Sequence, residues 1–332
     1  GLADSASQTI ESREGKIRAA CLEIATIAND WRAQVAGGME TAIMLWESCC
    51  IPSLLHEAGT WVEMSKATEN KLNTIQCWFV RLLLQVGPGA PLASLMWDTL
   101  LLDMGSRVNI KKVMMILHIR NLEEESLARQ IYEEQKRNGW PGLHEESRII
   151  CEELNIEDCN TTSLSKSNFR KLITTACHRK NEIFLRATAS EVKCRRIQNE
   201  DYGQKEYLSM KTIHESRSWY RTRFGLQPFA GNYSHDRRFA KTNWLCKCGT
   251  AQEEEGHIVS GNCQVYGDLK DKFGDLGEDS NLVSYFQAVL DRREDLERED
   301  MGWQPNSATV AARSVAGDSD RLSRPGDNIL SG

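Results

Sequence analysis

Four residues within 18 positions carry the clearest chemistry in this chain. One residue separates Cys246 from Cys248, eight separate Cys248 from His257, and five separate His257 from Cys263. Thiolates and an imidazole are the ligands that zinc takes in closed, tetrahedral structural sites. Two close cysteines form one half of such a site, and a His and a Cys returning after a short loop form the other. Gly249, Gly256 and Gly261 lie between the ligands, where tight backbone geometry is expected. Trp244, Leu245, Ile258 and Val259 are the expected mini-core. A segment this short buries too little surface to fold alone, so a structural zinc is the expected source of its stability. The alternatives are incidental thiols near one His, or a redox pair, although a disulfide across a single residue closes a strained ring.

Upstream, Lys211, Arg217, Arg221 and Arg223 interleave with Trp219, Tyr220 and Phe224. In a helix Arg217 and Arg221 share a face. Arginine forks bind phosphates and aromatic rings stack on bases, so these residues are candidates for nucleic-acid contact. The competing expectation is that the aromatics are core and the arginines solvated. Asn232, Arg237, Arg238 and Lys241 extend the candidate set towards the cysteines.

Charge is distributed in blocks. The net charge of −6 hides 17 Lys and Arg against 7 Asp and Glu in residues 165–245, a net of +10, flanked by segments of −8 each. A basic block of this kind points to a polyanion partner. Other classes find less support. No apolar run approaches the roughly 20 residues of a membrane helix, and the polar N-terminus offers no signal peptide. His118, His144 and His178 are isolated, and Glu123–Glu125 and Glu253–Glu255 read as solvated charge runs, so no paired acid and base with defined roles emerges. The remaining cysteines (Cys21, Cys49, Cys50, Cys77, Cys151, Cys159, Cys177 and Cys194) are scattered, as expected of free, buried or half-buried thiols in a reducing compartment.

These features must be positioned by helices. The expected fold is mainly α, a multi-helix fragment with a small C-terminal zinc knuckle and a disordered tail. Ile10–Ala36 reads as a helix broken by Gly37-Gly38, and Ala42–Cys50 as another halted by Pro52. Leu72, Ile75, Phe79, Leu82, Leu83 and Val86 line one face of a helix over Lys66–Val86. Pro88 ends it and Pro91 opens the next. Leu92–Met104 and Val108–Leu122 follow, parted by Gly105. Ser126–Asn138 and Leu143–Leu154 are separated by the turn Trp140-Pro141-Gly142. A long basic helix runs from Leu164 towards Leu185, capped by Ser163 or Ser165. No alternating strand pattern and no short repeat is evident.

The order of these features resembles the C-terminal region of reverse transcriptases from LINE-type non-LTR retrotransposons. The resemblance rests on Arg217-x-x-x-Arg221-x-Arg223, then Asn232, then the Cys246/Cys248/His257/Cys263 knuckle. Near the front, Trp46-Glu47 followed by Ile51-Pro52-Ser53-Leu54-Leu55-His56-Glu57-Ala58-Gly59-Thr60-Trp61 is similar to the segment by which such polymerases leave the thumb. There the family carries Glu two residues before the Trp, where this chain has Gly59. Leu92–Leu101 and Trp140–Glu153 resemble the family's post-thumb linker, and the likeness spans roughly Ser5 to Glu299.

The resemblance implies a thumb-exit segment (1–62), a helical linker (63–160), a basic helical region (161–245), a zinc knuckle with a terminal helix (246–299) and a tail (300–332). It implies binding of template RNA or target DNA during target-primed reverse transcription, with the upstream polymerase core as a further partner. A small-molecule substrate is not implied. The catalytic carboxylates of such polymerases include an Asp-Asp pair, and the chain has no Asp-Asp dipeptide, so an enzyme is not expected. The chain begins at Gly1 without Met, as expected of a fragment or of a processed or miscalled gene product, and the expected location is intracellular, nuclear and/or cytoplasmic. The alternative is a zinc-stabilised protein-interaction scaffold, whose cue is exposed apolar surface at Ile43, Leu45, Leu54, Leu55 and Trp61.

Overall fold

The computed structural model of the chain describes residues 4–29, 36–61, 64–189, 197–229, 245–260 and 263–300, with backbone only at 4, 5, 299 and 300. Cys194, Asn232, Arg237, Arg238, Lys241, Trp244, Gly261 and nearly all of the tail at 300–332 lie outside the described residues. Helices dominate, and the one extended pairing among the described residues is an isolated antiparallel bridge between Leu245 and Gln252. None of the described helices is long and apolar enough to cross a membrane. The described residues up to Met210, Ala36 apart, form one compact unit, and those from Lys211 form a second.

In the first unit, α1 (Asp4–Asn29) buries Ile10, Ile17, Cys21, Ile24 and Ala28, a stripe at three-, four- and seven-residue steps. It packs on α4 (Lys66–Leu84), whose first turn is capped by the Ser65 hydroxyl accepting from the Thr68 N–H. Between them the chain does not stop at Pro52. It runs from α2 (Gly38–Leu45) through a π-turn (Trp46–Cys50) into α3 (Ile51–Leu54). Ile51 donates five residues back to Trp46 O, and Pro52 sits in the first turn of α3, where a missing N–H costs little. The π-turn seats Trp46, fully buried, on the Phe79 ring at 4.7 Å between centroids. Gln76 ties the layer together. It accepts from Trp46 Nε1 and donates to Leu102 O at 2.9 Å.

After the 3₁₀ turn Ala58–Thr60, Gly59 lies so close to α6 (Met104–Arg120) that a Cβ there would stand 3.2 Å from Lys111 O. α5 spans Leu92–Thr99 and ends with Leu100 in the left-handed region at φ 55°. The break between α5 and α6 therefore falls at Leu100–Asp103, not at Gly105. Asp103, accepting from the Ser106 N–H, restarts the helix, and Gly105 lies within its first turn.

α6 is the hub. It packs on α4, on α7 (Leu127–Asn138), on α8 (Leu143–Glu153) and on α9 (Lys166–Thr188) around Val113, Ile116, Tyr132, Cys151, Phe169 and Ile173. Ser165 rather than Ser163 caps α9. The short α10 (Tyr207–Met210) closes the unit, with the Tyr207 hydroxyl on the buried Asp98 carboxylate at 2.6 Å.

Burial overturns one expectation. Ile43, Leu54, Leu55 and Trp61 are 0–6% exposed and Leu45 is half-buried, so these residues form core and not a naked face.

The second unit contains α11 (Ile213–Arg223), α12 (Glu255–Val259), α13 (Gly267–Lys270) and α14 (Asp279–Asp300). Thr212 and Glu215 form a reciprocal capping box that fixes where α11 begins. α11 packs on α14, whose buried Tyr285, Phe286 and Val289 share a core with Phe229, Ile258, Tyr266 and Leu269.

Candidate metal centre

Cys246, Cys248, His257 and Cys263 converge. Their four ligand atoms all lie within 4.8 Å of one another. Cys246 Sγ and Cys263 Sγ are 3.5 Å apart, and Cys248 Sγ is 3.3 Å from His257 Nε2. Zinc bonds of about 2.3 Å to sulfur and about 2.0–2.1 Å to nitrogen at tetrahedral angles require edges of about 3.8 and 3.6 Å. A small outward adjustment of these two pairs, with the remaining edges already within 4.8 Å, admits the ion, so the donor set and its spacing fit a closed site.

Local backbone geometry explains the convergence. The Cys246 N–H donates to Ala251 O and the Gly249 N–H to Cys246 O, both at 2.8 Å, and the Leu245–Gln252 bridge closes the loop. Gly249 has φ 73°, the left-handed region in which a Cβ is unfavourable, so its identity is explained by backbone geometry. Gly256 is different. It lies within α12 at ordinary dihedrals with open space around it, so no special turn requires it. α12 delivers His257. Cys263 opens a turn in which its carbonyl accepts from Tyr266 and Gly267.

The supporting core differs from the expected mini-core. Ile258 is buried and Val259 packs against the cluster, but Leu245 is 52% exposed. Most of the apolar support comes instead from α13 and α14. Tyr285 donates to Ile258 O at 2.8 Å, and Lys270 donates to Val259 O at 2.9 Å. Glu253, expected in a solvated run, is 3% exposed and pairs with Arg293 of α14 at 3.0 Å. These anchors were not expected from the sequence, because they join residues 27 and 40 positions apart.

Electrostatics separate the two leading thiols. Burial pushes Cys246 up to about 12, with Cys263 adding to the rise. Burial also raises Cys248, but hydrogen bonds from the Thr250 hydroxyl and backbone, and then from Cys246 and His257, outweigh it and bring the thiol down to about 6. The Thr250 hydroxyl stands 3.0 Å from the sulfur, a polar partner of the kind that orients metal ligands.

The basic and aromatic residues of α11 divide. Arg217 is 1% exposed, and burial with the neighbouring Arg221 charge lowers it to about 9. A phosphate cannot reach it while the unit is folded, so it is core and not a surface fork. Tyr220 and Phe224 are fully buried and pack at 5.0 Å between ring centroids. Arg223 is largely buried and pairs with Asp279 at 3.6 Å. Lys211, Trp219 and Arg221 remain partly exposed. In the first unit, α9 presents Lys166, Arg170, Lys171, Arg179 and Lys180 on its exposed positions.

No protein-family model, curated protein or solved structure matches this chain.

Proposed function

We propose that this chain is the nucleic-acid-binding C-terminal part of a LINE-type retrotransposon reverse transcriptase, holding template RNA or target DNA, with one structural zinc at Cys246, Cys248, His257 and Cys263. In this reading it carries neither a polymerase nor an endonuclease centre. The observation that carries the reading is the four-ligand convergence, built in the sequence order that motivated the resemblance and preceded by a segment of net charge +10. Zinc supplies the stability that a short, loop-rich segment lacks, and it bonds no substrate.

The phosphate-contacting role falls on the cations that remain accessible. These are Lys211 and Arg221, with the partly exposed Trp219 on the same helix as Arg221, and separately the exposed lysines and arginines of α9. Arg217 is instead buried in the second unit, and Arg223 pairs with Asp279 there. Contacts of this kind are dominated by counterion release, so affinity falls linearly in log–log form as salt rises. Fluorescence anisotropy with a structured RNA and a DNA duplex, across a salt series, tests the proposal. Binding at low salt with a steep salt slope supports it, and no binding at low salt sinks it.

One observation favours a second reading, the protein-interaction scaffold. α7 buries only Tyr132, leaving Leu127 70% and Ile131 49% exposed one turn apart. Concentration-dependent assembly by light scattering, with no nucleic-acid binding, would select it.

A further inference from the structure

A second cluster of metal-type donors lies in the first unit, apart from the knuckle. The sulfurs of Cys151 and Cys159 and a carboxylate oxygen of Asp158 all lie within 4.8 Å of one another. Cys151 is 1% and Cys159 0% exposed, while Asp158 is half-buried. The local fold brings them together. α8 ends just past Cys151, Asn155 turns the chain at φ 52°, and the Ile156 N–H donates back to Cys151 O at 3.0 Å. Cys159 returns beside Cys151 as a result.

The loop is held from behind. Asn160 donates from its backbone and its amide to Asp158 Oδ1 at 2.9 and 2.8 Å, which leaves Oδ2 for a cation. Asn160 is in turn fixed by the Tyr132 hydroxyl at 2.9 Å and by His144 O at 3.1 Å. Arg120 donates to the carbonyls of Cys159 and Thr162. Donors oriented by such an outer layer distinguish a prepared site from incidental neighbours.

We propose that Cys151, Asp158 and Cys159 bind one zinc-type cation, with a water completing a tetrahedron at the half-exposed Asp158 side. Two sulfurs and a carboxylate select a borderline or soft ion over magnesium or calcium. As the two S–metal bonds form, the two thiol protons leave to solvent. The bound set then carries one net negative charge, which Arg120 beside Cys159 offsets. Closing the donors to tetrahedral edges of about 3.8 Å between sulfurs and about 3.5 Å between sulfur and oxygen needs a tightening of no more than about 1.3 Å.

Metal content of the full chain, purified with reductant and measured by mass spectrometry, tests this site independently of the knuckle. The expected wild-type value is two zinc equivalents. Cys248→Ser is expected to keep one, and adding Cys151→Ser to that variant removes it. Asp158→Asn, which leaves the buried sulfurs in place, is expected to weaken the retained ion at least tenfold in chelator competition with unchanged circular dichroism. Cobalt substitution of Cys248→Ser is expected to give the intense near-ultraviolet band of thiolate ligation, and adding Cys151→Ser is expected to remove it. The proposal is overturned if Cys248→Ser retains no metal, if its metal survives Cys151→Ser, or if Cys151 and Cys159 are found joined as a disulfide.

Discussion

Replacing Glu253 by Gln tests how the knuckle is anchored. The Glu253 carboxylate is 3% exposed and pairs with Arg293 of α14 at 3.0 Å. Removing one partner of a buried ion pair costs about 3–5 kcal/mol. Arg293 keeps two partners, Pro228 O at 2.8 Å and Glu297 at 3.0 Å, and its side chain is 25% exposed. The loss should therefore fall at or below the low end of that range, about 2–3 kcal/mol. Gln has nearly the volume of Glu, so a cavity adds little. Glu253 lies on the loop that runs from Cys248 and Thr250 into α12, which carries His257. If that loop becomes ordered only when it is anchored, the penalty appears as weaker metal binding. Zinc affinity should then fall by a factor of roughly 30 to 150. Competition against a chromophoric chelator measures this, and urea unfolding of the metal-loaded chain measures the remainder. Arg293→Met and the double substitution complete a cycle that isolates the pair. A zinc affinity within threefold of wild type, together with an unchanged unfolding midpoint, would show that the Glu253–Arg293 pair does not anchor the knuckle.

Other outcomes follow from particular contacts. Gly249→Ala should lower knuckle stability by about 1–2 kcal/mol through backbone strain alone, since the space around it is open; chelator competition reads the loss. Gln76→Leu should destabilise the first unit by about 2–3 kcal/mol in urea unfolding, because the buried Trp46 N–H and Leu102 carbonyl lose their partner. Burial, and then the Arg107 charge, depress His178 below its ordinary 6.5, and burial with Arg217 and Arg221 depresses His214. A depressed value means that the folded state resists protonation. The corresponding stability is complete above pH 6.5 and is lost as the pH falls through the folded values; His178→Gln should flatten that decline in urea midpoints between pH 7 and 5. Lys211→Gln with Arg221→Gln should reduce the salt slope of RNA binding by about two, whereas Arg217→Gln should lower the unfolding midpoint instead.

The helices were readable because their signals are local. The apolar stripe of α4, the Ser165 cap and the proline-bounded start of α5 lie within one or two turns of sequence. The knuckle ligands were readable for the same reason, being close together and of unmistakable type. What escaped depended on partners distant in sequence. Arg217 looks like a surface fork until the folded unit buries it, and Glu253 looks solvated until Arg293 arrives 40 residues later. Pro52 reads as a stop because a π-turn that carries the chain past it has no composition signal. Cys151 and Cys159 read as scattered thiols because their proximity depends on the left-handed Asn155 and the Asn160 clamp.

The most direct measurement pairs zinc content with RNA affinity on the same samples, wild type against Cys248→Ser, at one salt concentration. The substitution is expected to remove one zinc equivalent and to weaken RNA binding. Wild-type protein with less than one equivalent, or a Cys248→Ser chain with undiminished zinc, would contradict that expectation.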